Sequence, residues 1–175
     1  PFMVLLAAFQ TLLHRWSGAD DVLVGSPVAN PGRVGAEGLI GMFVNTLVFP
    51  LRLSGAESFL AALERVRATT LAAHDHQDLP VELLVDELAV ERSLAHTPLF
   101  QVMLVLQNAP MGELRLPGLT FSPVEWPGTT AKFDLTLSFV ETPEGFAGSL
   151  EYAADLFDRT TGERVFGHFA NLLAS

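Results

Sequence analysis

The sequence predicts a layered α/β (α+β) fold in which a mixed β-sheet packs against helices. Strand-length apolar runs alternate along the chain with long amphipathic segments. Two segments near the end show period-2 alternation and indicate a hairpin. The 175 residues are 49% hydrophobic and 17% charged, which is enough apolar material for one sizeable core. A sandwich, a bundle and a repeat array are disfavoured.

The first helix is predicted from apolar residues that recur at helical spacing, namely Leu5, Phe9, Leu12 and Trp16. Gly18 follows them and can adopt the left-handed conformation that ends a helix. Residues 21–28 are short and rich in valine, and a proline-containing cluster follows. They predict a strand that runs into a loop.

The next apolar run, residues 42–53, has little polar alternation and predicts a strand buried on both faces. Ser54 and Glu57 then have the spacing of a capping box, in which each side chain satisfies a backbone N–H of the other residue. A helix over residues 56–74 is therefore expected. Its inward face consists of Phe59, Leu63, Val66 and Thr70.

A second, short helix is predicted after Asp78, which is a good N-cap residue, with Pro80 near the first turn. This helix is expected to end before Arg92. Its apolar face consists of Val81, Leu84, Val85 and Leu88.

The second half of the chain predicts three strands and a helix. Residues 99–106 indicate a fully buried strand, and a polar connection covers 108–120. Segments 133–139 and 146–152 form the hairpin, which has one solvated face and Thr-Pro-Glu-Gly as its turn. Asp158 caps a final helix whose apolar positions are Val165, Phe166, Phe169, Leu172 and Leu173.

The composition excludes several classes of function. The net charge of −10 disfavours binding to nucleic acid or to anionic lipid, since both need clustered Lys and Arg. The absence of cysteine excludes a disulfide framework, a thiolate zinc site and a cysteine nucleophile, and it suits the reducing cytoplasm. The apolar opening, residues 1–13, contains Gln10 and Thr11 and is too short to span a membrane. Its abrupt start suggests a chain cut from a longer one.

Catalytic patterns are absent. Ser26 is followed by Pro27, which lacks the amide N–H that an oxyanion hole would need, and no dinucleotide or phosphate-loop motif occurs. Residues 74–78 contain two histidines and two aspartates, which could suggest a metal site. We prefer a structural interpretation, because histidine suits a helix C-terminus and Asp78 can cap the next helix. No metal site is predicted.

Asn45 and Thr46 are polar residues inside an apolar run, and buried polar groups need partners. Two interpretations remain open. Their side chains either satisfy neighbouring backbone groups or form a hydrogen-bonding wall beside a substrate channel. Together with Ser26 they are the candidate channel residues.

Residues 40–46, Ile-Gly-Met-Phe-Val-Asn-Thr, resemble a motif of the condensation domains of non-ribosomal peptide synthetases. Three further segments, 24–30, 76–82 and 97–103, resemble the same family in order and rough spacing. The closing segments agree as well, so that the resemblance covers essentially the whole chain; they are 132–135, 150–152, 156–158 and 168–173.

The resemblance implies a fold like one half of chloramphenicol acetyltransferase, in which two related lobes meet in a V around a tunnel. Residues 1–175 would be the C-terminal lobe. The family carries its His-His-x-x-x-Asp-Gly motif in the N-terminal lobe, and this motif is absent here. No catalytic residue is therefore expected in this chain, and the chain alone is expected to be inactive.

The resemblance also implies an activity for the intact domain, namely an amide bond formed between a donor acyl group and the amine of an acceptor aminoacyl group. Both groups are tethered to carrier proteins by phosphopantetheine arms, and no cofactor binds the domain directly. The implied partners are the N-terminal lobe, the two carrier proteins and an adjacent adenylation domain. Antibiotic and other natural-product synthesis in the cytoplasm is the implied setting, with neither nucleic acid nor membrane as a partner.

Two departures from the family pattern affect loop contacts. Arg33 lies two residues later than in the family, and His96-Thr97 stand where an Arg-Asn pair is usual. Two alternatives remain open. The parent domain could be a non-catalytic platform that recruits other enzymes to the assembly line, or a relative that carries out epimerisation or heterocyclisation.

Overall fold

The structure is a computed structural model that describes residues 1–29, 43–90, 97–107 and 130–175, with the single residues 41, 93, 118, 119 and 128. These residues contain four helices and five strands. In chain order they are α1 (Phe2–Ser17), β1 (Asp21–Ala29), β2 (Val44–Arg52), α2 (Phe59–Asp75), α3 (Val81–Glu87), β3 (Val102–Gln107), β4 (Leu135–Thr142), β5 (Gly145–Tyr152) and α4 (Arg159–Ala174).

The five strands form one mixed sheet in the order β2-β1-β3-β4-β5. The three central strands are parallel, and each outer strand is antiparallel to its neighbour. Parallel neighbours need long connections, and here β2, α2 and α3 lie between β1 and β3 along the chain. The predicted α/β class with a mixed sheet is confirmed.

The core lies between one face of this sheet and the helices α1, α2 and α4. Alternate strand residues point to this face because the side-chain period of a strand is two. Phe169 of α4 packs between Phe9 of α1 and Phe139 of β4, with ring centroids 6.0 and 5.6 Å away. The buried strand residues on this face include Val22, Val24, Leu47, Phe49, Leu51, Leu104 and Leu137.

Several local predictions are confirmed. Gly18 ends α1 with a φ of 71° and donates its N–H to the carbonyl of His14 at 2.9 Å. The hairpin forms as predicted, with Thr142 opposite Gly145. The Asp158 side chain caps α4 by accepting from the N–H of Thr161 at 2.7 Å. Each of these features depends only on neighbouring residues.

The prediction that residues 42–53 are buried on both faces is wrong. β2 is an edge strand whose buried residues alternate, with Leu47, Phe49 and Leu51 inside and Pro50 and Arg52 exposed. Full burial is likewise wrong for residues 99–106, because only Met103 and Leu104 of β3 are buried. For β2 the reason is that α1, α2 and α4 cover one face of the sheet. In β3 the buried residues Met103 and Leu104 are consecutive and point to opposite faces, so burial on both faces is limited to this part of the strand.

The predicted capping box is also wrong. α2 begins at Phe59, and its cap is Ser58, whose hydroxyl accepts from the N–H of Ala61 at 3.3 Å. Glu57 instead pairs with Arg65 at 2.9 Å. Ser58 has the extended backbone that an N-cap residue requires, with φ −74° and ψ 153°. The helix therefore starts later than predicted.

Asp78 does not cap α3. The helix begins at Val81 with Pro80 in the cap position and no side-chain cap bond, although it ends before Arg92 as predicted. Two residues assigned to inward faces are exposed, namely Phe59 at 40% and Leu88 at 57%. The buried face of α2 is instead formed by Ala62, Val66 and Thr70.

The predicted connection over 108–120 lies outside the described residues apart from 118 and 119. Among the helices of the described part, none combines the length and the apolar character that a membrane span requires.

We expect Gly25→Ala to destabilise the fold by about 1–3 kcal/mol, because a Cβ at position 25 would overlap the ring of Phe100. Urea unfolding measures this change. Gly55→Ala is the matched control, since a Cβ there meets nothing within 4 Å. The double change Gly25→Ala with Phe100→Leu should recover part of the loss. Equal stability of the two single variants would contradict the proposed contact.

The pH dependence of α4 capping provides a second test. Hydrogen bonds from the Thr161 N–H and the Thr160 hydroxyl lower the pKa of Asp158 below its ordinary value of 3.8. A lowered folded-state pKa stabilises the fold above pH 3.8, and this stabilisation is lost as the pH falls through the folded-state pKa. Asp158→Asn keeps an acceptor oxygen but does not titrate. The Tm advantage of the unmodified chain over this variant should shrink as the pH falls from about 5 to below about 3, and a constant difference would contradict the assignment.

Candidate functional site

A cavity lies at the carboxyl ends of the parallel strands β1 and β3. It has a volume of about 650 Å³. Its walls come from the start of α1, the end of β1, the inner face of α2 and Leu106 of β3. Ligands in α/β sheets commonly bind outside the carboxyl ends of strands. This cavity is therefore the candidate functional site.

Ser26 is the one predicted channel residue that lines the cavity. It lies near the end of β1 and is 3% exposed. Even-numbered residues of β1 point towards the helices, which places Ser26 between the sheet and α2. Its hydroxyl has no hydrogen-bond partner among the described residues, and in particular no general base contacts it. The site thus offers Ser26 as a hydrogen-bonding group and not as an activated nucleophile.

Three residues of α2 add further polar groups to the cavity, and none of them is among the predicted channel residues. Arg67, Thr70 and His74 recur at spacings of three and four residues and so share one side of the helix. Thr70 is 1% exposed, and its hydroxyl has no partner within the described structure. Arg67 and His74 are exposed at the rim. The sequence pattern that could have identified this part of the cavity is the spacing of three polar residues on one side of a helix.

Asn45 does not line the cavity but holds the turn that forms part of its rim. Its amide nitrogen donates to the carbonyls of Gln77 and Leu79, each at 2.7 Å. Gln77 lines the cavity and belongs to the turn between α2 and α3. Both donor hydrogens of Asn45 are therefore engaged in fixing this turn to the start of β2.

Thr46 is also absent from the cavity lining. Its backbone N–H donates to the side-chain oxygen of Asn45 at 2.8 Å. Thr46 pairs across the sheet with Pro27, which does line the cavity. Asn45 and Thr46 thus contact residues of the cavity wall and do not line the cavity itself.

The cluster at residues 74–78 has a structural arrangement at the end of α2. His74 lies in the last turn, and a ring nitrogen of His76 lies 2.9 Å from the carbonyl oxygen of Ala72. Within the described ranges, no three His, Asp or Glu side chains are grouped so that they could hold a metal ion. Of the 40–46 motif, Ile40 and Met42 lie outside the described residues, as does Asn30.

The arrangement as a whole is suited to binding. Apolar side chains from four elements form most of the wall. The cavity is also lined by Ser26 and by Thr70, whose buried hydroxyl has no partner among the described residues. A guanidinium and an imidazole lie at the rim. Such a lining suits a ligand that has apolar parts and hydrogen-bonding groups, with a negative charge near Arg67.

Comparison with protein families gives one match along nearly the whole chain. A family model described as Condensation domain matches residues 2–175. One of the linear gramicidin synthase proteins of Brevibacillus parabrevis is 54% identical over 176 residues, which are 99% of this chain and 2% of the relative. Malpinin synthetase of Mortierella alpina is 48% identical over 172 residues, covering 98% of this chain and 2% of the relative. The chain thus spans a few per cent of these relatives.

Solved structures show the same fold. The X-domain from teicoplanin biosynthesis has a TM-score of 0.88 and 27% identity, covering 98% of this chain and 40% of that one. The first condensation domain of the calcium-dependent antibiotic synthetase, in complex with a substrate analogue, has a TM-score of 0.74 at 22% identity. It covers 98% of this chain and 37% of that one, and at this identity it shows the fold alone.

We expect Asn45→Ala to destabilise the chain by about 1–3 kcal/mol, because it removes three hydrogen bonds and leaves two carbonyls with fewer donors. Thermal or urea unfolding measures the change. Asn171→Ala is the matched control, since Asn171 is an exposed residue of α4, and it should alter stability by less than about 0.5 kcal/mol. Equal effects of the two substitutions would show that the Asn45 contacts do not hold the turn.

Proposed function

The chain belongs to the condensation-domain family of peptide synthetases, and from this membership we propose that its parent polypeptide forms amide bonds between carrier-bound substrates. The donor is an acyl thioester and the acceptor an aminoacyl thioester. This chain would be the C-terminal lobe of the condensation domain and would form one wall of its tunnel. The chain alone would be inactive.

The cavity at the ends of β1 and β3 is the observation that carries this proposal. A phosphopantetheine arm is an extended chain with two amide groups and a phosphate, and it matches the apolar walls, the free hydroxyls and the cationic rim. No cofactor would be bound directly, because the arm belongs to the carrier protein. Two tethered reactants held together in this way need no further chemical activation from this lobe to gain a large rate advantage.

The proposed reaction replaces the thioester bond of the donor with an amide bond. The acceptor amine attacks the donor carbonyl, a C–N bond forms, the C–S bond breaks, and the amine proton is passed to the leaving thiolate. The base that handles this proton would lie in the N-terminal lobe, since the His-His-x-x-x-Asp-Gly motif is absent from this chain. We therefore assign no catalytic residue here.

Among the candidate channel residues, Ser26 would contact the arm directly, because it is the one that lines the cavity. Asn45 and Thr46 would act indirectly: the Asn45 side chain binds the rim turn and the backbone N–H of Thr46, and so links that turn to the start of β2. The partners would be the N-terminal lobe, the donor and acceptor carrier proteins and an adjacent adenylation domain. The reaction would take place in the cytoplasm, which suits a chain without cysteine.

A second candidate function has a specific observation in its favour. The X-domain from teicoplanin biosynthesis has a TM-score of 0.88, and a second solved structure holds that domain in complex with OxyB. The parent domain would then recruit another enzyme and would form no bond itself. The same lobe would serve in catalysis and in recruitment, because the His-His-x-x-x-Asp-Gly motif that distinguishes the two functions would lie in the N-terminal lobe.

Single-turnover amide formation between two loaded carrier proteins tests the proposal. We expect activity from the parent polypeptide that includes the N-terminal lobe and none from this chain alone. Activity in the chain alone would overturn the assignment of the chemistry to the other lobe. If neither the correctly folded parent nor this chain forms the amide, the result would favour the recruitment function.

We expect Arg67→Ala in the parent polypeptide to lower the rate of amide formation by about tenfold, equivalent to about 1.4 kcal/mol, when carrier protein is subsaturating. The reason is that the cavity rim would lose its guanidinium group. Arg67→Lys should recover part of the rate. The control is Arg164→Ala on α4, which lies outside the cavity. Equal effects of the two alanine variants, at unchanged Tm, would show that the rim charge does not bind the arm.

A further inference from the structure

Thr70 has a buried hydroxyl that the fold leaves without a hydrogen bond. The residue lies on α2, is 1% exposed and lines the cavity at the ends of β1 and β3. Its hydroxyl meets no donor or acceptor in the described part of the chain. Because a buried hydroxyl without a hydrogen bond destabilises a fold, such groups are rare and call for an explanation.

Two hydroxyl residues of α1 show what a serine or threonine inside a helix commonly does. Thr11 donates to the carbonyl of Ala7 at 2.7 Å, and Ser17 donates to the carbonyl of Leu13 at 2.8 Å. In both cases the acceptor lies one turn earlier in the same helix. Thr70 makes no such bond to α2. Its hydroxyl is therefore free to bind a molecule in the cavity.

Thr70 has a cationic or basic side chain one turn away in each direction. Arg67 precedes it by three residues and His74 follows it by four, and both line the cavity and are exposed. Residues at these spacings lie on the same side of a helix, with their Cβ atoms about 5–6 Å apart. A ligand whose negative group binds Arg67 at the rim would thus place its next polar group beside Thr70, where the wall is buried.

On the basis of the proposed function, which supplies the ligand, we propose that the Thr70 hydroxyl binds the amide group nearest the phosphate of the phosphopantetheine arm. The phosphate lies at one end of the arm, and this amide follows it in the direction of the thiol. With the phosphate at Arg67, the amide would reach Thr70, whose hydroxyl can donate to its carbonyl. Thr70 would thereby fix how far the arm enters the cavity.

This arrangement predicts opposite effects on stability and on binding. Thr70→Val replaces the hydroxyl with a methyl group and so removes the unpaired buried group. We expect this variant to be more stable than the unmodified protein and to bind the arm less tightly. A threonine with a purely structural role would behave differently, because the loss of its hydroxyl would lower the stability.

Binding of carrier protein to the parent polypeptide provides the measurement, with the carrier protein prepared with and without its phosphopantetheine arm. We expect the unmodified parent to prefer the carrier protein that has the arm. Thr70→Val should reduce this preference about three- to tenfold and raise the Tm by about 2 °C or more. Thr70→Ser keeps a hydroxyl and should retain most of the preference. Thr11→Val is the matched control and should neither change the preference nor raise the Tm, because the Thr11 hydroxyl bonds to its own helix.

A preference for the arm that Thr70→Val leaves unchanged overturns the proposal, and so does an unmodified parent that has no such preference. A Tm lowered by Thr70→Val overturns it as well, because the hydroxyl would then have a partner in the fold. Equal weakening of both carrier forms would reveal general damage and have the same consequence. The binding measurement needs no amide formation. A parent that forms no amide but binds the arm through Thr70 would therefore contradict the proposed function and support the role of Thr70.

Discussion

The ring of Phe169 on α4 packs against the rings of Phe9 on α1 and Phe139 on β4. This aromatic cluster holds the first and last helices against the same face of the sheet. All three rings are at most 5% exposed. The cluster decides which face of the sheet carries the helices, because side chains alternate between faces along every strand. Once this face is chosen, the position of Ser26 between the sheet and α2 follows.

On the opposite face of the sheet, the contact between Gly25 and Phe100 has a similar role. The ring of Phe100 occupies the space that a side chain at position 25 would take, and it stacks on Phe133 with centroids 5.4 Å apart. This contact ties the loop before β3 to the centre of β1. The parallel strands that frame the cavity are thereby held together from both faces.

Asn45 shows how one amide can serve two needs. Its nitrogen fixes a turn 32 and 34 residues away, and its oxygen satisfies the outward N–H of the next residue on an edge strand. Gln10 plays a comparable part inside the core, where its amide nitrogen donates to the carbonyl of Phe49 at 2.8 Å. Both residues are polar interruptions of apolar runs, and both meet backbone groups of elements distant in sequence.

The sequence by itself determined the features that depend on neighbouring residues. These are the end of α1 at Gly18, the β4–β5 hairpin, the Asp158 cap and the alternation of strands and helices that defines the fold class. The capping box failed because two serines, Ser54 and Ser58, compete within four residues and only the backbone conformation selects between them. Only the tertiary structure decided that β2 is an edge, that Thr70 and Ser26 share a cavity and that Asn45 binds a distant turn. These features depend on strand order and helix packing, which bring together residues that no local pattern relates.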